Sequence, residues 1–140
     1  MVLTEFRTYG EFIYTLPANH PSIQQSTLVL ANIGRTLSEL EGQLHFANDV
    51  VLDVWELIDH ETGRIRNYSY EIYQAGEKMS WYDPFEHPHI PELASTHPHH
   101  KHVHPNIKRN RLPAPGISFE QPNLPFLIQE IEQKFLVKSS

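Results

Sequence analysis

Eight prolines between residues 84 and 123, at positions 84, 88, 91, 98, 105, 113, 115 and 122, set the strongest limit on what this chain can fold into. Proline has no amide hydrogen and fixes φ, so neither a long helix nor a central strand is expected through 84–123, and the segment reads as an extended loop. A loop of that length in a small domain is usually functional or disordered. Its contents favour function, because seven of the chain's ten histidines fall in residues 81–105, as His87, His89, His97, His99, His100, His102 and His104. Histidine exchanges protons near neutral pH without a large pKa shift, and neutral imidazole is the commonest metal ligand.

Upstream of the prolines lie β-type segments rich in Val, Ile, Tyr, Trp and Thr, at 25–33, 42–48, 50–59, 65–74 and 78–83, with turn chemistry between them. The short connections 60–64 and 75–77 suit hairpins, so the last three segments are expected to pair antiparallel in sequence order. In 65–74, Tyr68, Tyr70 and Ile72 share one face of a strand, the core face. Residues 1–22 have no clean period and read as either strand or short helix. Downstream, Asn123 is placed to cap a helix whose first turn takes Pro125, and Leu124, Leu127, Ile128, Ile131 and Phe135 form its apolar stripe. The expected fold is α+β: a curved antiparallel β-sheet meander (25–83), a long His/Pro-rich loop (84–123) and a C-terminal amphipathic helix (124–137) packed on the sheet.

At 140 residues with 39% apolar content, residues 1–140 are expected to form a single domain. There is no apolar run of membrane-spanning length and no export signal at the N-terminus, which predicts a cytoplasmic protein that does not engage a membrane. With no cysteine, disulfides, thiolate metal sites and cysteine nucleophiles are excluded. The net charge of −6 argues against nonspecific polyanion binding, but its distribution is uneven. Residues 1–92 sum to −9, whereas 93–119 lack any acid and carry Lys101, Lys108, Arg109 and Arg111. A phosphate-bearing ligand such as RNA would be held on that basic, histidine-rich strip.

Three readings of the strip compete. His-x-His pairs in extended backbone place both imidazoles on one side, so His87, His89, His100 and His102 could clamp a divalent metal such as zinc, with Asp83 or Glu56 as further ligands, in a metal-dependent nuclease or phosphoesterase. Alternatively, two imidazoles acting as base and acid could move a ribose 2′-hydroxyl onto the adjacent phosphate with no cofactor, a cation steadying the charge. The third reading is a solvated polar loop, or a non-enzymatic protein that binds metal or a partner through it. Around the strip, Glu56 and Asp83 could orient imidazoles, although carboxylates on a sheet are more often merely exposed. Tyr68, Tyr70, Tyr73, Trp81 and Tyr82 could stack nucleobases, although alternating aromatics are more often core.

Three features occur in order: a Glu-containing strand followed by Tyr-x-Tyr (Glu56, Tyr68, Tyr70), then Tyr-Asp followed by His-Pro (Tyr82, Asp83, His87, Pro88), then Pro-His-His-Lys-His at 98–102. Together they resemble a known family, the TumE-type toxin components of prokaryotic type II toxin–antitoxin systems. The resemblance spans about residues 25–137, with departures at Ser80-Trp81, where a basic residue is usual, and at Pro84. It implies a small toxin neutralised by a cognate antitoxin, often one with a helix-turn-helix domain; a homo-oligomer is compatible with it. Combined with the residues, it gives an RNA-cleaving toxin as the expectation. In that reading His100 and His102 are the acid/base pair and His87 or His99 assists. Asp83 and Glu56 orient imidazoles, Lys101 with Arg109 or Arg111 holds phosphate, and Tyr68, Tyr70 and Tyr82 contact substrate.

Overall fold

The computed structural model describes residues 2–84, 100–103, 111–113 and 116–137. A 3-10 turn (Val2–Thr4) and two short helices, α1 (Phe6–Tyr14) and α2 (Leu16–Asn19), open the chain, so most of the ambiguous first 22 residues are helical. Tyr9 and Ile13 of α1 and Leu16 of α2 are buried, while Phe6, which shares the Tyr9 and Ile13 side of the helix, is 36% exposed and Tyr14 57%. Exposed aromatics mixed with buried ones blur the period. The strands follow as β1 (Gln25–Ser26), β2 (Val29–Asn32), β3 (Leu37–His45), β4 (Val50–Asp59), β5 (Arg64–Gln74) and β6 (Glu77–Asp83). Then come β7 (His100–Val103), β8 (Arg111–Pro113) and the C-terminal helix α3 (Leu124–Phe135).

All strand pairings are antiparallel, in the order β1-β3-β4-β5-β6-β7-β8, with β2 also pairing with β3. The sheet is open, and the α+β meander with its terminal helix is the architecture expected. The β5–β6 hairpin turns on Ala75 and Gly76, both at positive φ, which gives the tight two-residue connection whose twist suits flanking strands. Register shifts between Leu57 and Ile58 and between Ile72 and Tyr73 mark bulges, the features that bend a sheet. At Gly42 (φ +141°) the backbone of Thr27 and Leu28 crosses β3 so closely that a Cβ would lie 2.5 Å from the Thr27 carbonyl oxygen.

The expected loop is in part sheet. β7 pairs with β6 on one side and β8 on the other, within 84–123. Residues 99–104 contain no proline, so every amide of β7 can join a ladder, and Pro113 falls on the sheet's edge strand, where a missing donor is tolerated.

Alternation along the strands divides the sheet into two faces. Leu40, Leu44, Leu52, Val54, Ile58, Tyr70 and Ile72 are fully buried on one of them, beneath α1 and α3. The α3 stripe of Leu124, Leu127, Ile128 and Ile131 is likewise fully buried. At about 1.5–3 kcal/mol for each large apolar side chain removed from water, this layer is the main source of stability. Asn123 does not cap α3 with its side chain. Its Oδ1 accepts the Ser118 amide at 2.9 Å and its Nδ2 donates to the Tyr70 hydroxyl at 3.0 Å, tying the helix start to the sheet.

Candidate active site

The sequence-predicted residues separate into three places. The first is the outer part of the sheet, where β6 and β7 run side by side with Trp81 opposite His102, Tyr82 opposite Lys101, and Asp83 opposite His100. Side chains alternate across a strand, so Trp81, Asp83 and His102 lie on one face and Tyr82 and Lys101 on the other. His102 Nε2 is 3.1 Å from Asp83 Oδ2, with His102 4% and Asp83 5% exposed. A carboxylate can only accept, so Nε2 donates in this pair. The imidazole also stacks on the Trp81 ring with centroids 5.0 Å apart, and Trp81 is fixed by its Nε1–H donating to Ser69 Oγ at 3.1 Å. His102 is therefore held in orientation by a carboxylate and an indole.

On the other face of the same two strands, Lys101 Nζ donates to Glu130 Oε1 of α3 at 3.0 Å and lies 5.3 Å from the centre of the Tyr82 ring. The Tyr82 hydroxyl donates to the same carboxylate at 2.6–2.7 Å. Burial lowers the Lys101 ammonium from its ordinary pKa, and Lys134 adds to this while Glu130 opposes it. Lys101 was expected to hold phosphate. Its ammonium is instead committed to Glu130 in the helix–sheet contact, and it serves to fasten β7 to α3.

Glu56 occupies the third place, fully buried beneath α1. Its Oε1 accepts the Tyr9 hydroxyl, and its Oε2 accepts the Tyr70 hydroxyl at 2.5 Å. Burial pushes its carboxyl up to about 7, with the two phenol bonds pulling the other way. The expectation that Glu56 orients an imidazole gives way here, because both its oxygens are taken by phenols of the core. Tyr68, Tyr70 and Tyr82, expected to contact substrate, are at most 1% exposed, with Tyr68 stacked on Tyr70 at 4.9 Å; packed rings offer no face to a base. Burial, with the charge of Asp83 added, raises the Tyr68 phenol, which places Tyr68 in the electrostatic neighbourhood of the His102–Asp83 pair.

His87, His89, His99 and Arg109 lie outside the described residues. His100 and Arg111 are defined by their ladder positions, His100 opposite Asp83 and Arg111 opposite His102. The four-histidine metal reading accordingly has only the His102 side chain described. Among the described residues no group of three or more His, Asp or Glu is arranged to hold a metal ion. Sequence reasoning missed Glu130, whose signal was its position three residues after Leu127, on the buried stripe of α3. It also passed over His60, whose ring nitrogens meet Ser38 Oγ at 2.7 Å and the Leu3 carbonyl at 2.8 Å, a satisfied structural histidine.

Fold and site together define an α+β protein whose outer strands carry a carboxylate-anchored histidine beside a proline- and histidine-rich segment. The family model described as Toxin TumE matches residues 13–135, and the chain belongs to that family. Membership suggests a toxin component of a toxin–antitoxin system and implies an antitoxin partner. No curated protein and no solved structure matches. Among the described residues, no helix is long and apolar enough to cross a membrane.

Proposed function

We propose that the chain is an RNA-cleaving toxin in which His102 and His100 are the acid/base pair and Asp83 orients His102. The observation that carries this reading is the buried His102–Asp83 hydrogen bond on a strand whose next position but one is His100. One imidazole takes the proton of a ribose 2′-hydroxyl as that oxygen attacks the adjacent phosphorus. The other gives a proton to the departing 5′-oxygen as the P–O5′ bond breaks, leaving a 2′,3′-cyclic phosphate and a free 5′-hydroxyl. Arg111, opposite His102 in the ladder, and Arg109 supply the cations for the phosphate in place of Lys101. His87 and His99 are the further histidines of the same segment that could assist.

The test is incubation of purified, antitoxin-free protein with total cellular RNA, with and without EDTA, reading fragments and their end groups. Cleavage that survives EDTA and leaves cyclic phosphate is expected. Cleavage lost with EDTA would replace this mechanism with a metal-dependent one using the histidine pairs. Absence of cleavage in both lanes would overturn the RNA reading and leave the family's toxin role to another target.

A further inference from the structure

α1 and α3 pack on one face of the sheet, through Tyr9 to Glu56, Asn123 at the start of α3 to Tyr70, and Glu130 to Tyr82 and Lys101. On the opposite face, among the described residues, side chains bond mainly to one another. Trp55 Nε1 donates to Glu39 Oε2 at 2.9 Å, Trp81 Nε1 donates to Ser69, and Lys78 pairs with Glu71. This face keeps half-exposed Val51, Trp55, Leu57, Tyr73 and Trp81 where the helix-covered face is closed to solvent. Its centre is acidic. Glu39, Glu41, Asp53 and Glu71 occupy neighbouring ladder positions on β3, β4 and β5, and among the described residues Lys78 is the cation beside them, paired with Glu71 and 4.9 Å from the centre of the Trp81 ring. Burial and the Glu71 carboxylate opposite it raise the Asp53 carboxyl, a sign of crowded negative charge.

We propose that this open face is a docking surface for a basic polypeptide segment of the antitoxin, packed over Trp55 and Trp81 and paired with Glu39, Glu41, Asp53 and Glu71. That the occupant is the antitoxin rests on the toxin reading; that it is basic rests on the face itself. Aromatic side chains framed by carboxylates favour arginine and lysine, through ion pairs and through cation–π contact with indole. RNA is disfavoured there, since each phosphate would meet carboxylates at short range. The surface also runs to Trp81, whose ring stacks on the buried His102, so a segment bound on it lies against the candidate active site.

The chain's two tryptophans both lie on this face, which gives a direct readout. The toxin, labelled with fluorotryptophan, is titrated with the purified product of the reading frame adjoining its own, following two fluorine resonances and measuring Kd by calorimetry. Both resonances are expected to shift, and Kd to rise with salt. Glu41→Lys with Asp53→Lys should weaken binding at least tenfold. Glu41→Gln with Asp53→Asn, which keeps the shape of the face, should weaken it less. Glu5→Lys with Glu11→Lys, exposed positions just before and on α1, should leave Kd unchanged.

Tight binding with both resonances unmoved, and with Kd unaltered in the lysine variant, would overturn the surface while the toxin reading stands. Single-stranded RNA that shifts the Trp55 resonance, away from His102, and binds more tightly to the lysine variant would overturn the occupant. A chain that neither arrests growth nor binds the neighbouring product would overturn the toxin reading together with the partner, which distinguishes that failure from a misplaced surface.

Discussion

Asp83 and His102 meet diagonally across the β6–β7 ladder, carboxylate to Nε2 at 3.1 Å, with the indole of Trp81 against the imidazole. Both groups are buried, so an alanine at His102 would open a cavity as well as remove chemistry. Asp83→Asn is the cleaner change, because an amide oxygen still accepts the Nε2 proton but no longer stabilises a charged ring. RNA cleavage is expected to fall by about two orders of magnitude, the usual share of an acid–base group. The midpoint of thermal unfolding is expected to stay within a few degrees of wild type. Equal losses of cleavage and folded fraction would remove Asp83 from the mechanism.

Glu56 makes stability depend on pH in a direction opposite to that of a paired surface carboxylate. Its folded pKa of about 7 lies above the ordinary 4.5, so between those values the folded chain keeps a proton that the unfolded chain has released. Its contribution is fully present below about pH 4.5, is lost as pH rises to about 7, and is constant above; the loss is on the order of 3 kcal/mol. Glu56→Gln cannot ionise. The difference in unfolding free energy between variant and wild type should therefore grow in the variant's favour from pH 5 to pH 8, and urea denaturation at several pH values would show it. A difference independent of pH would mean that Glu56 titrates normally.

Removing one partner of the Lys101–Glu130 pair should cost more than removing both. Glu130→Gln leaves a mostly buried ammonium without its counter-charge, a loss of about 3 kcal/mol or more. Lys101→Met with Glu130→Gln restores an uncharged contact and should recover most of that. A double-mutant cycle by denaturant unfolding reads the coupling directly. Simple additivity of the two changes would show that the pair contributes nothing to holding β7.

Gly42→Ala tests the crossing of 27–28 over β3. The added Cβ would meet backbone rather than a flexible side-chain tip, and φ of +141° is a conformation that alanine rarely adopts. A loss of about 2 kcal/mol or more is expected, by the same denaturation assay. Wild-type stability in the variant would mean that the β1–β2 connection can move away freely.

The meander was legible because 50–59 and 65–74 alternate apolar and polar residues between short, turn-forming connections, and β4 and β5 run almost as those limits predict. The terminal helix was legible for the same reason, in its stripe from Leu124 to Ile131. What stayed hidden were cases where one residue type has two physical uses. Proline density argues against a long helix or a central strand through 84–123, yet the six proline-free residues 99–104 are enough for β7 to enter the sheet between β6 and β8. Asn123 was a reasonable cap by type, but its amide was already engaged by Tyr70 and Ser118. In the site, His102 and Asp83 were named from residue type and order along the chain. Their pairing follows from register, which spacing across a 15-residue gap of undescribed chain does not fix. Glu56 and Lys101 were assigned to chemistry because they are charged, and charge alone does not reveal whether the partner is a substrate or the core.

Tyr9 lies before the first residue matched by the family model, residue 13, yet its hydroxyl completes the environment of Glu56. The same carboxylate reaches α3 through Tyr70 and Asn123, so the two ends of the chain are joined by a single polar relay through the core. A protein trimmed to the matching segment would leave one carboxylate oxygen without its donor in an apolar setting. The damage would spread from the missing N-terminus to the seating of the last helix, and the family's boundary on paper would not be the boundary of the folding unit.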